Sequence, residues 1–165
     1  INLKNKKIYK GEETADIIVE STRNIKGISC PSSLNSAAID EFLVIFLIAA
    51  KAKGISNFKN LGELNKKESP RLDIGVKFLK MIGVRVDRNK NDIKIYGNPY
   101  LKISKTLHIK NYLKDHRVFM MSSIAALSFI ENGKVIIEDK ESINTSFPSF
   151  LKLLKNLGAK INWEN

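Results

Sequence analysis

One cysteine, two histidines and five arginines in 165 residues is a short supply, and each scarcity removes a class of chemistry. With Cys30 alone there is no disulfide framework and no thiolate metal site. His108 and His116 are too few to build a zinc site. The longest apolar run, Phe42 to Ala50, falls well short of the roughly 20 residues that cross a bilayer. No signal peptide is visible. A reducing, cytoplasmic setting with no membrane partner is the expectation. The sequence starts on Ile1 and not Met, which hints at a piece of a longer chain.

Acidic residues are also few, 17 against 28 basic ones, for a net charge of +11. Lysine supplies 23 of the 28, scattered from Lys4 to Lys160 without a dense block or interleaved aromatics. Nucleic-acid binders usually gather such charge on one face or helix. A Lys-rich surface with an anionic small ligand fits better than a nucleic-acid partner. A hydrophobic share of 43% at this length predicts one globular domain with a real core.

The densest chemistry lies in Asn65-Lys66-Lys67-Glu68-Ser69-Pro70-Arg71, where three cations surround one carboxylate. Ser69 suits an N-cap and Pro70 a first helical turn, with Leu72, Val76, Leu79 and Ile82 following at helical spacing. A helix N-terminus flanked by Lys67 and Arg71 favours a phosphate or carboxylate. Glu68 is then a carboxylate in a cationic site, a position suited to proton transfer. The same residues also fit a solvated loop before an ordinary helix.

Elsewhere, Ile1 to Glu13 is polar and lacks periodicity, Ala15 to Glu20 reads as a buried strand, and Lys26 to Cys30 as another after a turn at Gly27. Asp40-Glu41 opens a buried helix ending near Gly54, since an acidic start suits a helix N-terminus. Ile55 to Leu61, Val84 to Val86 and Asp92 to Tyr96 read as strands, the last two joined by Arg88 to Asn91. The second half repeats the order: strand Leu107 to Ile109, an apolar helix from Asp115-His116-Arg117 to Ile130, strand Lys134 to Glu138, a helix from Ser146 to Leu157, and strand Ala159 to Trp163.

The halves overlay. Leu79-Lys80-Met81-Ile82-Gly83 matches Leu154-Lys155-Asn156-Leu157-Gly158, and Asp40 precedes Gly83 by the same 43 positions as Asp115 precedes Gly158. This predicts an α/β fold built from a duplicated unit of buried helix, strand, helix and strand, about residues 15–97 and 101–163. Packed side by side, the units would bring Asp40, Lys67, Glu68, Arg71, Asp115, His116 and Arg117 to one polar site. Guanidinium groups suit a doubly anionic ligand, and two carboxylates supply a base and an acid. Taken singly each has an ordinary reading: Asp40 as a helix cap, Asp115 as a partner of Arg117, His116 as a partly buried histidine.

Gly11-Glu12-Glu13-Thr14-Ala15-Asp16-Ile17, Ile39-Asp40-Glu41, Lys67-Glu68-Ser69-Pro70-Arg71-Leu72, Asp115-His116-Arg117 and Thr145-Ser146-Phe147-Pro148 occur in that order. Together they resemble the C-terminal part of the enolpyruvylshikimate-phosphate synthase (3-phosphoshikimate 1-carboxyvinyltransferase) family, in its Thr-Ser-Phe-Pro subgroup. Lys-Glu-Ser-x-Arg with Asp-His-Arg fits that family better than the enolpyruvyl transferase of cell-wall precursor synthesis. The resemblance implies an inside-out fold of repeated βαβαββ units with buried parallel helices. This chain would hold about two of the three units of the C-terminal domain.

The implied reaction transfers the enolpyruvyl group of phosphoenolpyruvate to the 5-hydroxyl of shikimate 3-phosphate, on the pathway to chorismate and aromatic amino acids, with no metal or organic cofactor. By motif, Asp40 resembles the carboxylate facing the shikimate hydroxyl and Glu68 the acid that protonates the phosphoenolpyruvate methylene. Lys67 resembles the lysine on the shikimate phosphate, and Arg71 and Arg117 the pair holding phosphoenolpyruvate. Asp115 and His116 would support them.

The sequence departs from the family at Pro70, where Asp is usual, and at Thr145, where many members carry a lysine of the phosphoenolpyruvate site. The implied partner is the missing N-terminal domain of the same enzyme, without which the piece would be inactive; the complete enzyme is expected to be a monomer. The alternative is a non-enzymatic basic module binding anions or nucleic acid, whose binding would fall steeply with salt.

Overall fold

Nine of the ten residues in Phe42–Lys51 are apolar, and the segment forms helix α1 at the centre of the molecule, with Phe42, Leu43, Phe46, Leu47, Ala49 and Ala50 buried. The computed structural model describes residues 1–22, 24–139 and 141–162. In chain order these hold strands β1 (Asn2–Tyr9) and β2 (Glu12–Ile18), helix α1, strand β3 (Gly54–Phe58) and helix α2 (Arg71–Met81). Strands β4 (Arg85–Asn89), β5 (Asp92–Gly97) and β6 (Leu107–Ile109), helix α3 (His116–Phe129), strand β7 (Val135–Ile137) and helix α4 (Phe150–Asn156) complete the order.

Helix α1 packs against both α2 and α3. Phe42, Phe46 and Phe58 meet there with ring centroids 5.5 to 5.9 Å apart. Two buried serines sit within apolar α3. Ser122 and Ser123 satisfy their hydroxyls on the carbonyls of Val118 and Phe119 one turn back, so neither needs an outside partner.

In both halves the segments before and after the buried helix pair in parallel. In the first, residues 25–30 run parallel to β3, linked by backbone bonds such as Gly27 N to Lys53 O and Asn57 N to Ile28 O. In the second, β6 pairs parallel with β7. The outer helices also end alike. Gly83 and Gly158 have φ of +87° and +94°. Val84 N donates to Leu79 O and Ala159 N to Leu154 O, while the glycine N–H groups donate to Lys80 O and Lys155 O. This is a Schellman closure, and it explains why a Gly ends both matched blocks. The first half adds antiparallel strands, giving the order β3-β5-β4.

Five expectations need correction. Ile1 to Glu13 is not structureless: β1 and β2 form an antiparallel hairpin closed by Lys10-Gly11, both at positive φ, as a tight two-residue loop requires. The strand beginning near Ala15 is β2, but it lies mostly at the surface. Gly27 is a point of backbone pairing and not a turn. Pro70, not Ser69, occupies the N-cap of α2. Residues 159–162 form no strand, and Trp163, the predicted end of that strand, lies outside the described residues.

Among the described residues no helix is long and apolar enough to cross a membrane.

Candidate active site

Three helix starts converge on one guanidinium. Arg71 opens α2, Asp115 caps α3, and Asp40 lies in the turn before α1. Arg71 donates from Nε to Asp115 Oδ2 at 2.9 Å and from Nη1 to Asp40 Oδ1 at 2.8 Å, while Nη2 bonds Glu68 Oε2. Side chains of Arg71 and Asp115 are 2% and 0% exposed, so this pair is out of water. Their charges compensate each other in a place where either alone would be costly.

Asp115 has further work at the same point. It accepts from the Arg117 backbone N–H at 2.8 Å, which caps α3, and from Ser69 Oγ at 2.7 Å. One buried carboxylate therefore ties the starts of α2 and α3 together. Burial pushes the Asp115 carboxyl up, but Arg71, the Ser69 hydroxyl and the Arg117 N–H outweigh it and hold the group below the usual range. The same contest holds at Asp40, where burial is outweighed by Lys67, 3.4 Å away, and by Arg71 and Arg117. Burial lowers Arg71, and its three carboxylates more than reverse that.

Arg117 is held differently. Its Nη1 donates to the Asp40 backbone carbonyl at 3.1 Å and to Glu41 Oε1 at 2.7 Å. Asp40, Glu41, His116 and Arg117 line the polar end of a cavity of about 400 Å³, whose other wall includes Met120 and Phe147.

The structure thus brings together Asp40, Lys67, Glu68, Arg71, Asp115 and Arg117. His116 stands beside them on the cavity. Thr145 does not join the cluster; its hydroxyl donates to Ser142 O at 3.0 Å, while the adjacent Ser146 and Phe147 reach the cavity. Asp115 pairs with the Arg71 side chain, not with that of Arg117. Sequence reasoning missed two members. Ser69 is a buried hydroxyl aimed at Asp115, signalled only by its place two residues before Arg71. Glu41 neutralises Arg117, and its signal was the doubled carboxylate Asp40-Glu41, of which one has to face elsewhere. Four carboxylates meet three cations here, so the cations are paired within the protein and do not form an open cationic pocket. Among the described residues no group of three or more His, Cys, Asp or Glu is placed to hold a metal ion.

The architecture is shared with solved proteins. NikO, an enolpyruvyl transferase from Streptomyces tendae, superposes with a TM-score of 0.58 at 16% identity over 96% of this chain and 33% of that one, a likeness of fold alone. An EPSP synthase structure from Acinetobacter baumannii superposes with a TM-score of 0.89 at 32% identity, over 99% of this chain and 37% of that chain. In sequence, the 3-phosphoshikimate 1-carboxyvinyltransferase of Paramagnetospirillum magneticum is 35% identical over 158 residues, 94% of this chain and 34% of the relative. The fold is therefore of the enolpyruvyl transferase class. A family description, EPSP synthase (3-phosphoshikimate 1-carboxyvinyltransferase), matches residues 5–162, and the chain belongs to that family. It spans about a third of the length of the relatives it matches.

Proposed function

We propose that this chain supplies part of the active site for transfer of the enolpyruvyl group from phosphoenolpyruvate to the 5-hydroxyl of shikimate 3-phosphate. The observation that carries the reading is the meeting of Asp40, Lys67, Glu68, Arg71, Asp115 and Arg117 at three helix starts, in a chain of this family. Glu68 protonates C3 of phosphoenolpyruvate, and positive charge develops at C2. The hydroxyl oxygen attacks C2 while Asp40 accepts its proton. Loss of a C3 proton and of phosphate from the tetrahedral adduct leaves the enol ether. Lys67, Arg71 and Arg117 neutralise the phosphates and carboxylates of two anionic substrates so that they can approach.

The carboxylates around the cations fit this sequence of events. While Lys67 and Arg71 hold Asp40, its carboxyl is a poor base. Once those cations turn to a ligand's anions, Asp40 loses them and its basicity rises. Arg71 has two sides for this purpose. Its Nε side stays on buried Asp115, and the Nη groups face Asp40 and Glu68, which are partly exposed and can give way.

Repetition of the unit over about residues 15–97 and 101–163 belongs to the same reading, supported by the matching parallel pairs and Schellman closures. Catalysis also needs a second domain to close over the site and exclude water. The test joins this chain to the complementary two thirds of the Acinetobacter baumannii relative and follows phosphate release. Release should require both substrates and fall at least 100-fold in Glu68→Gln, the scale of general acid catalysis. The 165 residues alone should release none. Release that ignores shikimate 3-phosphate, or that survives Glu68→Gln, overturns the reading.

A further inference from the structure

We infer that Glu41 is a displaceable counter-ion that sets the anion affinity of Arg117. The inference rests on the reading of Arg117 as an anion-binding residue, and it assigns a residue that the motifs did not. Glu41 stands at the N-cap of α1, yet its side chain makes no capping bond there. It crosses instead to α3, where Oε1 accepts from Arg117 Nη1 at 2.7 Å. The carboxylate therefore serves the neighbouring helix and not its own.

The pair is built to open. Glu41 is 60% exposed and Arg117 27%, and both line the cavity that Asp40 and His116 border. An exposed pair is weakly held, because water and salt screen it. A phosphate offers the planar guanidinium two acceptor oxygens and more charge than one carboxylate. Glu41 and an incoming anion compete for the same Nη1. The carboxylate keeps Arg117 oriented along the Asp40 carbonyl, and an anion that binds through Nη1 has to displace it. Glu41 is thus a positioning and affinity-limiting residue, not a catalytic one.

The test titrates the 165-residue chain with inorganic phosphate at fixed ionic strength, following the backbone amides of residues 115–118 by NMR. Four proteins are compared: wild type, Glu41→Gln, Arg117→Ala, and Glu63→Gln as a charge control, since Glu63 forms an exposed pair with Lys66. Glu41→Gln keeps the size and an acceptor oxygen but removes the competing charge. It should bind phosphate about two- to fivefold tighter than wild type, the range an exposed ion pair allows. Glu63→Gln should match wild type, and Arg117→Ala should lose the site. A merely structural Glu41 would give unchanged or weaker binding in Glu41→Gln. That result, with binding still lost in Arg117→Ala, overturns the inference and leaves the anion reading standing. Phosphate affinity unchanged by Arg117→Ala overturns both. No measurable binding in either wild type or Glu41→Gln also overturns the inference.

Discussion

The start of α2 and the start of α3 each present one arginine to the same site, and the two are held in opposite ways. Arg71 is buried against a carboxylate that water does not reach, and two further carboxylates share its remaining donors. Arg117 is part-buried, held by the exposed Glu41 carboxylate and the Asp40 backbone carbonyl. On the proposed function, the difference separates architecture from ligand capture. Arg71 and Asp115 position the helices, and the Nη side of Arg71 is available only by exchange of partners. Arg117 can take an anion at little cost.

The largest expected effect follows from the buried pair. Arg71→Ala strands Asp115 without a compensating charge and should destabilise the fold by about 3–5 kcal/mol. Asp115→Asn should cost about 3 kcal/mol, the lower end, because Asn still caps α3 and Asp40 and Glu68 still face the guanidinium. Urea unfolding reads both as a lower midpoint at unchanged slope. Equal, small losses for Arg71→Ala and Arg117→Ala would erase the contrast between the two helix starts.

Acid provides the next test. The Asp115 and Asp40 carboxyls sit below their ordinary value of 3.8 in the folded state. Their contribution to stability is therefore complete above about pH 4 and is lost as pH falls through the depressed values. Unfolding free energy should drop below pH 4 in the wild type and drop less in Asp115→Asn. A wild-type curve as flat as that of the variant would contradict the buried pair. The smallest expected effect is on the other arginine: Arg117→Ala should change stability by no more than about 1 kcal/mol, as for an exposed pair.

Sequence patterns carried the helices well and the partners poorly. The starts of α1 and α3, the Leu72, Val76, Leu79 and Ile82 face of α2, and both closing glycines were legible, because each rests on local spacing. The β1–β2 hairpin was not, since its exposed strands lack an apolar face and only Lys10-Gly11 marks the turn. Residues 159–162 pattern like β4, yet β4 is a strand through pairing with β5, and the described residues contain no such neighbour for them. The cluster was legible as a set of residues but not as a charge balance. The local stretch of three cations around one carboxylate became a site where Lys67, Arg71 and Arg117 face four carboxylates, because Asp40 and Asp115 reach Arg71 from 31 and 44 positions away and Glu41 reaches Arg117 from 76. Burial of Arg71 itself has no local signature.

The Arg71 and Arg117 side-chain N–H signals of the 165-residue chain, observed by NMR as phosphoenolpyruvate is added, separate the two arginines most directly. The Arg71 Nε–H, bonded to buried Asp115, should exchange slowly with water and keep its position through the titration. Arg117 signals should exchange fast and shift to a saturable end point. Fast exchange at Arg71 Nε, or a titration that leaves Arg117 unmoved, would contradict the division between the arginine anchored on buried Asp115 and the arginine held by an exposed, displaceable carboxylate.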